Sequence, residues 1–181
     1  MAAMSLPSVN KGSFTVRQST SPKDRAAQLA LRYKVLREPL GMTREQSIFP
    51  RDDDDDTIHL LAVVNPVVPG KLESVGGTPG RDDGAPVVIG TATMISHGPD
   101  VVQLRGMASD PEWAGYGVGR AVLEMAHELV GSRSLWCDAR MSAHDFYARF
   151  GWVAEGEIFD IPQVGPHTVM RYSGGCKENV G

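Results

Sequence analysis

Apolar positions along the chain switch between the period of a helix and that of a strand. Val118, Ala121, Val122, Met125, Ala126, Leu129 and Val130 fall at i, i+3, i+4, i+7, i+8, i+11 and i+12, which predicts an amphipathic helix closed by Gly131. A second helix is predicted after Ser21-Pro22, a capping residue followed by a first-turn proline; its apolar positions Ala26, Leu29, Ala30, Tyr33 and Leu36 form the expected buried stripe, and it ends near Pro39. Ile58 to Val64 is a short apolar run suited to a buried strand, and Val87 to Ile95 is rich in β-branched residues. From Val101 to Met107, Val102 and Leu104 alternate with Gln103 and Arg105, so this strand has two unlike faces. Phe14 to Arg17, Ser134 to Asp138, Trp152 to Phe159 and His167 to Tyr172 complete the strands, and Ser142 to Phe150 is a short helix stopped by Gly151. This order predicts an α/β (α+β) domain: a mixed central sheet with helices on its faces.

Between these elements lie segments without period. Residues 1–12 read as a flexible N-terminal extension and 174–181 as a C-terminal tail, leaving 13–173 as the domain. Residues 65–86 hold five Gly and four Pro and bury too little to offset their chain entropy, so a mobile hairpin insertion is expected there. The polar stretch Gly41 to Asp56 ends in five consecutive aspartates, Asp52 to Asp56, expected to repel one another in a solvated loop.

Composition narrows the function. A chain of 181 residues with 41% hydrophobic and 22% charged residues suits one globular domain. A net charge of −4 gives no footprint for nucleic acid, and no apolar run is long enough for a membrane span, so a cytoplasmic protein is expected. Cys137 and Cys176 match no zinc or disulfide spacing and read as thiols, and no metal site is expected.

The candidate chemistry begins at Gly115-Tyr116-Gly117-Val118-Gly119, at the entrance of the strongest helix. Backbone N–H groups converge there on a helix N-terminus, where the dipole favours an anion, and Arg120 adds positive charge. No Lys follows the glycines as a Walker loop requires. A dinucleotide fingerprint needs a third glycine where Arg120 or Val122 stands, and the gap from the preceding strand is too long, although Asp138 sits where a ribose-binding acid could.

The stretch Leu104 to Leu123 resembles the acetyl-CoA motif of the GNAT superfamily: a strand, a short turn, Arg or Gln-x-x-Gly-x-Gly or Ala, then a helix. Phe146-Tyr147-Ala148-Arg149-Phe150-Gly151-Trp152 resembles the superfamily's downstream Phe-Tyr-x-x-x-Gly-Phe signature. Leu135 to Arg140 and Gly165 to Met170 are similar to an ElaA-like bacterial branch, and the likeness spans roughly residues 14 to 172. The chain departs from the motif at Ala114, where Arg or Gln is usual.

The resemblance implies a mostly antiparallel GNAT sheet with helices on both faces, and direct acetyl transfer from acetyl-CoA to a primary amine through a ternary complex. It implies that Met107, Ala108 and Ser109, with Gly106 nearby, hold pantetheine and the acetyl carbonyl, the Met107 N–H serving the oxyanion. Ala114, Gly115, Tyr116, Gly117, Val118, Gly119 and Arg120 would hold the pyrophosphate, and Tyr147 would protonate the departing thiolate. The acceptor must be deprotonated; His167 is the first candidate base, ahead of His97 and His144, with Glu112 or water as alternatives. Cys137 lies in an apolar strand, unlike a nucleophile. A small amine or polyamine is the favoured acceptor, loosely matched by the acidic loop, with a peptide or protein lysine second. A noncatalytic acyl-CoA-binding module is the alternative, and monomer and homodimer are both compatible.

Overall fold

The structure, a computed structural model, describes residues 14–64 and 86–173; the expected extension at 1–12, the insertion at 65–86 apart from Pro86, and the tail at 174–181 lie outside them. The described elements are β1 (Phe14–Gln18), α1 (Pro22–Leu36), β2 (Ile58–Val64), β3 (Val88–Ser96), β4 (Val101–Ser109), α2 (Val118–Val130), β5 (Ser134–Arg140), α3 (His144–Ala148), β6 (Val153–Ile161) and β7 (Gly165–Tyr172). The strands form one sheet in the order β1-β2-β3-β4-β5-β7-β6. Its one parallel pair is β4 with β5, joined through the α2 crossover that a parallel connection requires.

Strand alternation divides the core. Leu60 and Ala62 pack with Val118, Val122 and Ala126 of α2, whereas Leu61 and Val63 pack with Ala27 and Leu31 of α1. Helices therefore cover both faces, as expected. The period of α2 buries Val118, Val122, Leu123, Ala126 and Val130, and Gly131 closes the helix by donating to the His127 carbonyl. Its first turn rests directly on β3: a Cβ at Gly90 would stand 2.5 Å from Val118 Cγ1, so only glycine lets the helix sit this close.

On α1 the expected stripe is not the buried one. Asp24, Ala27, Gln28, Leu31 and Arg32 face the sheet, while Leu29, Ala30, Tyr33 and Leu36 are half-buried and Ala26 is exposed. The reason is the polar surface beneath the helix. Gln28 Nε2 donates to Thr93 Oγ1 at 3.2 Å and lies 3.2 Å from His59 Nδ1, and Arg32 Nη2 donates to the same Thr93 hydroxyl. These partners let Gln28 and the two terminal nitrogens of Arg32 be buried with hydrogen bonds made, while among the described residues Arg32 Nε has no acceptor.

The aspartate run is likewise not wholly solvated. Asp52 is buried and receives Arg32 Nη1 at 2.6 Å, Arg25 at 3.0 Å and the Phe49 N–H at 2.8 Å. Burial raises its pKa, but Arg32 and the Phe49 N–H outweigh that, so the carboxyl is held below the ordinary range. Asp53 to Asp56 are exposed, with Asp54 and Asp56 paired to Arg51. Among the described residues, no helix is long and apolar enough to cross a membrane.

Candidate active site

The sheet opens at its one parallel junction. β4 and β5 pair only at Val101 with Ser134, Val102 with Leu135 and Gln103 with Trp136. Beyond that point β5 stays with β7 and β4 stays with β3, leaving a cavity of about 310 Å³ between Leu104–Met107 and Cys137–Arg140. A bulge in β4 shapes one wall: Thr91 pairs with Ala108 but Thr93 with Arg105, so one extra residue is accommodated around Gly106 and Met107. Gly106 has φ +57°, and a Cβ there would lie 2.8 Å from both Arg32 Nε and Phe49 Cε2. Glycine is required by conformation and by space together.

Met107, Tyr147 and His167 converge on this cavity. The Tyr147 hydroxyl donates to Met107 Sδ at 3.5 Å and also meets the Cys137 thiol, and its ring packs 5.0 Å from that of Trp152. Burial, then the neighbouring Cys137, raises the phenol well above its usual pKa. Burial pushes the Cys137 thiol up to about 12, so it carries no thiolate at neutral pH and cannot act as a nucleophile. His167 is buried on β7, and its Nδ1 lies 2.7 Å from the Gly165 carbonyl. A carbonyl only accepts, so Nδ1 carries a proton, and the lone pair of the neutral ring falls on Nε2. The other candidate bases stand elsewhere. His97 is on the exposed β3–β4 hairpin, 3.2 Å from Gln103 Oε1; His144 opens α3, outside the cavity lining; Glu112 is exposed in the turn before α2.

Ala108 and Ser109 lead from the bulge to the glycine loop. Asp110 caps a single 3-10 turn, Pro111–Trp113, accepting from the Glu112 N–H at 3.1 Å, and Lys34 of α1 binds its other oxygen at 2.9 Å. Gly117 then takes a left-handed conformation, φ +78°, as the residue from which α2 starts. Unlike α1, whose Ser21 hydroxyl accepts from the Asp24 N–H, α2 has no side-chain cap and no acid in its first turn. Its first N–H groups therefore lack intrahelical and side-chain acceptors, which suits a bound phosphate. Gly119 keeps the approach narrow, since a Cβ there would lie 3.4 Å from Ser109 Oγ. Arg120, by contrast, is exposed and shares its charge with Glu124 at 2.8 Å.

The sequence reading missed a second group of cavity residues. Arg37, from the end of α1, Arg105 on β4 and Arg140 at the end of β5 line the same space, with Asp138 and Phe49. The Phe49 ring gathers guanidinium groups: Arg32 at 4.4 Å, Arg105 at 4.6 Å and Arg37 at 5.3 Å from its centroid. Burial, then repulsion from Arg140 and Arg105, lowers the Arg37 pKa. The alternation of Arg105 with Leu104 marked it as facing away from one core, but nothing local pointed to Arg37 or Arg140.

Comparison with known proteins bears on the fold and on the central segment of the chain. Residues 81–154 match the Acetyltransferase (GNAT) domain family. Over 71 residues the chain is 39% identical to an uncharacterised N-acetyltransferase, YitI, of Bacillus subtilis, covering 38% of this chain and 48% of that protein, so the match spans about half the relative's length. The fold superposes on a candidate N-acetyltransferase from Lactobacillus plantarum with TM-score 0.70 at 20% identity, covering 90% of this chain and 99% of the other. Escherichia coli ElaA superposes with TM-score 0.65 at 17% identity, covering 88% and 98%. An aminoglycoside 6′-N-acetyltransferase solved with coenzyme A superposes with TM-score 0.60 at 11% identity, covering 88% and 96%. Residues 81–154 are thus similar to the GNAT acetyltransferase domain, and the described fold is similar to that of solved N-acetyltransferases.

Proposed function

We propose that this chain transfers an acetyl group from acetyl-CoA to a primary amine by direct attack. The observation that carries the reading is the Tyr147 phenol, buried at the mouth of the β4–β5 split beside Met107, with the uncapped N-terminus of α2 at the end of the same strand. Acetyl-CoA supplies the thioester; its pyrophosphate suits the N–H groups of the α2 entrance, and backbone donors can hold it without the side chain that Ala114 lacks. Met107, in the bulge, is suited to present its N–H to the thioester oxygen, a contribution of about 3 kcal/mol to the barrier in comparable donors.

In the reaction the amine nitrogen forms a bond to the acetyl carbon and the carbon–sulfur bond breaks. The amine proton passes to His167 Nε2, which bears the lone pair of the neutral ring because Nδ1–H donates to the Gly165 carbonyl. The thiolate takes its proton from Tyr147, which stays protonated at neutral pH because burial raises its pKa. The test is thiol release from acetyl-CoA with a panel of amines, for the native protein and Tyr147→Phe. Turnover with at least one amine, lost in the variant while acetyl-CoA binding persists, is the expected result. Binding without turnover for any amine would favour the noncatalytic acyl-CoA-binding module.

A further inference from the structure

The charged side chains that line the cavity are mostly cationic. Among the described residues, its charged side chains are Arg37, Arg105, Arg140 and Asp138, and no carboxylate lies within ion-pair distance of any of the three guanidinium groups. They are held in place by other means. Arg37 Nε donates to the Gln46 carbonyl at 3.0 Å, Arg140 Nη2 to the Leu36 carbonyl at 3.3 Å, and Arg105 lies on Phe49. Burial first, then the like charges of Arg140 and Arg105, lowers the Arg37 pKa, so an anion among these guanidinium groups would offset both the burial and the repulsion.

The cavity's guanidinium groups and the glycine loop lie on different elements. The phosphate loop opens α2, which packs on one face of the sheet, whereas Leu36 and Arg37 come from α1 on the other. Arg37 and Arg105 line the same cavity as Met107, Tyr147 and His167.

We propose that the acceptor is an amine whose molecule also carries a carboxylate, as in an amino acid, with Arg37, Arg105 and Arg140 holding the carboxylate and Asp138 the ammonium end. This rests on the acetyltransferase reading and sharpens it. A polyamine would meet three like charges and one carboxylate. A zwitterion meets complementary groups, and guanidinium is the side chain suited to a carboxylate in a two-pronged contact.

The test uses the full chain in two arms. In the first, the common L-amino acids are compared with their amides, with spermidine and with O-phosphoethanolamine in thiol release. In the second, N-acetyl-L-alanine and its amide are titrated calorimetrically with and without CoA. The carboxylate member is expected to lead by roughly 100-fold in kcat/KM, as charge-assisted contacts imply, and to bind more tightly. In Arg105→Gln and Arg37→Gln, each checked for an intact melting transition, the lead falls toward unity while the KM for acetyl-CoA stays. Equal or better use of the amides or spermidine overturns the proposal, as does a lead unaffected by both variants. A preference for O-phosphoethanolamine overturns it in favour of phosphate. Acetyl-CoA binding, followed by melting in the same preparation, separates the two readings: its loss sinks the acetyltransferase, while the N-acetyl-L-alanine arm still decides the carboxylate.

Discussion

Replacing Asp52 by alanine probes the buried network beneath α1, with four neighbouring aspartates as internal controls. The side chains of Asp52 and Arg32 are both fully buried and meet at 2.6 Å, and the Arg32 guanidinium also contacts the Ser47 carbonyl, the Thr93 hydroxyl and the Phe49 ring. Removing the carboxylate leaves a buried cation without a counter-charge, a change that costs about 3–5 kcal/mol. In a chain of this size that lowers the melting temperature by about 6–20 °C. Asp53, Asp54, Asp55 and Asp56 are exposed and their ion pairs, where present, lie at the surface, so each alanine variant should change stability by less than about 1 kcal/mol. Urea and thermal melts of the five variants decide the matter. If Asp52→Ala proves no less stable than Asp53→Ala, the pair does not hold α1 to the sheet and the reasoning fails.

Further expectations follow from the same geometry. Tyr147→Phe keeps the ring but removes the proton donor, so kcat should fall by roughly 10²–10⁴-fold while the acetyl-CoA dissociation constant, measured by calorimetry, is unchanged; a parallel loss of affinity would make Tyr147 a binding residue instead. Gly106→Ala must place a Cβ at positive φ and 2.8 Å from Arg32 and Phe49, costing about 2–4 kcal/mol in urea unfolding; a loss under about 0.5 kcal/mol would show that the bulge can relax. Burial and Arg25 lower the His59 pKa, and Asp52 and Asp24 are held low, Asp24 chiefly by its hydrogen bond to Arg17. All three folded values lie below their unfolded ones, so the stabilisation is complete above about pH 6.5 and is lost as pH falls, first from His59 and then from the carboxyls near about pH 4. Urea midpoints should therefore fall steadily on acidification, and a flat profile would contradict the network. In a Cys176→Ser background the native protein should resist iodoacetamide at neutral pH, because Cys137 is buried with its thiol pushed to about 12.

What was legible in the sequence was carried by short-range pattern. The α2 period, the Gly131 cap and the strand runs needed only neighbouring residues, and the glycine loop and Tyr147 were marked by local motifs. The α1 face was misjudged because its burial depends on distant partners: Thr93 and His59 make room for Gln28 and Arg32, and no helical period of apolar residues reports that. Asp52 was hidden within a charge run for the same reason, its counter-charge standing 20 residues earlier on another element. The guanidinium cluster joins the end of α1, the middle of β4 and the end of β5. It exists only once the sheet has split, so spacing could not announce it.

Acetyl-CoA binding tests the central claim most directly. Thermal melting with and without excess acetyl-CoA, with NAD and ATP as controls, should show a rise of several degrees for acetyl-CoA, because a ligand bound only by the native state stabilises it by RT ln(1 + [L]/Kd). The controls should leave the transition in place. No shift at millimolar acetyl-CoA, or an equal shift with NAD or ATP, would contradict the assignment of the α2 entrance and the β4–β5 split as an acetyl-CoA site.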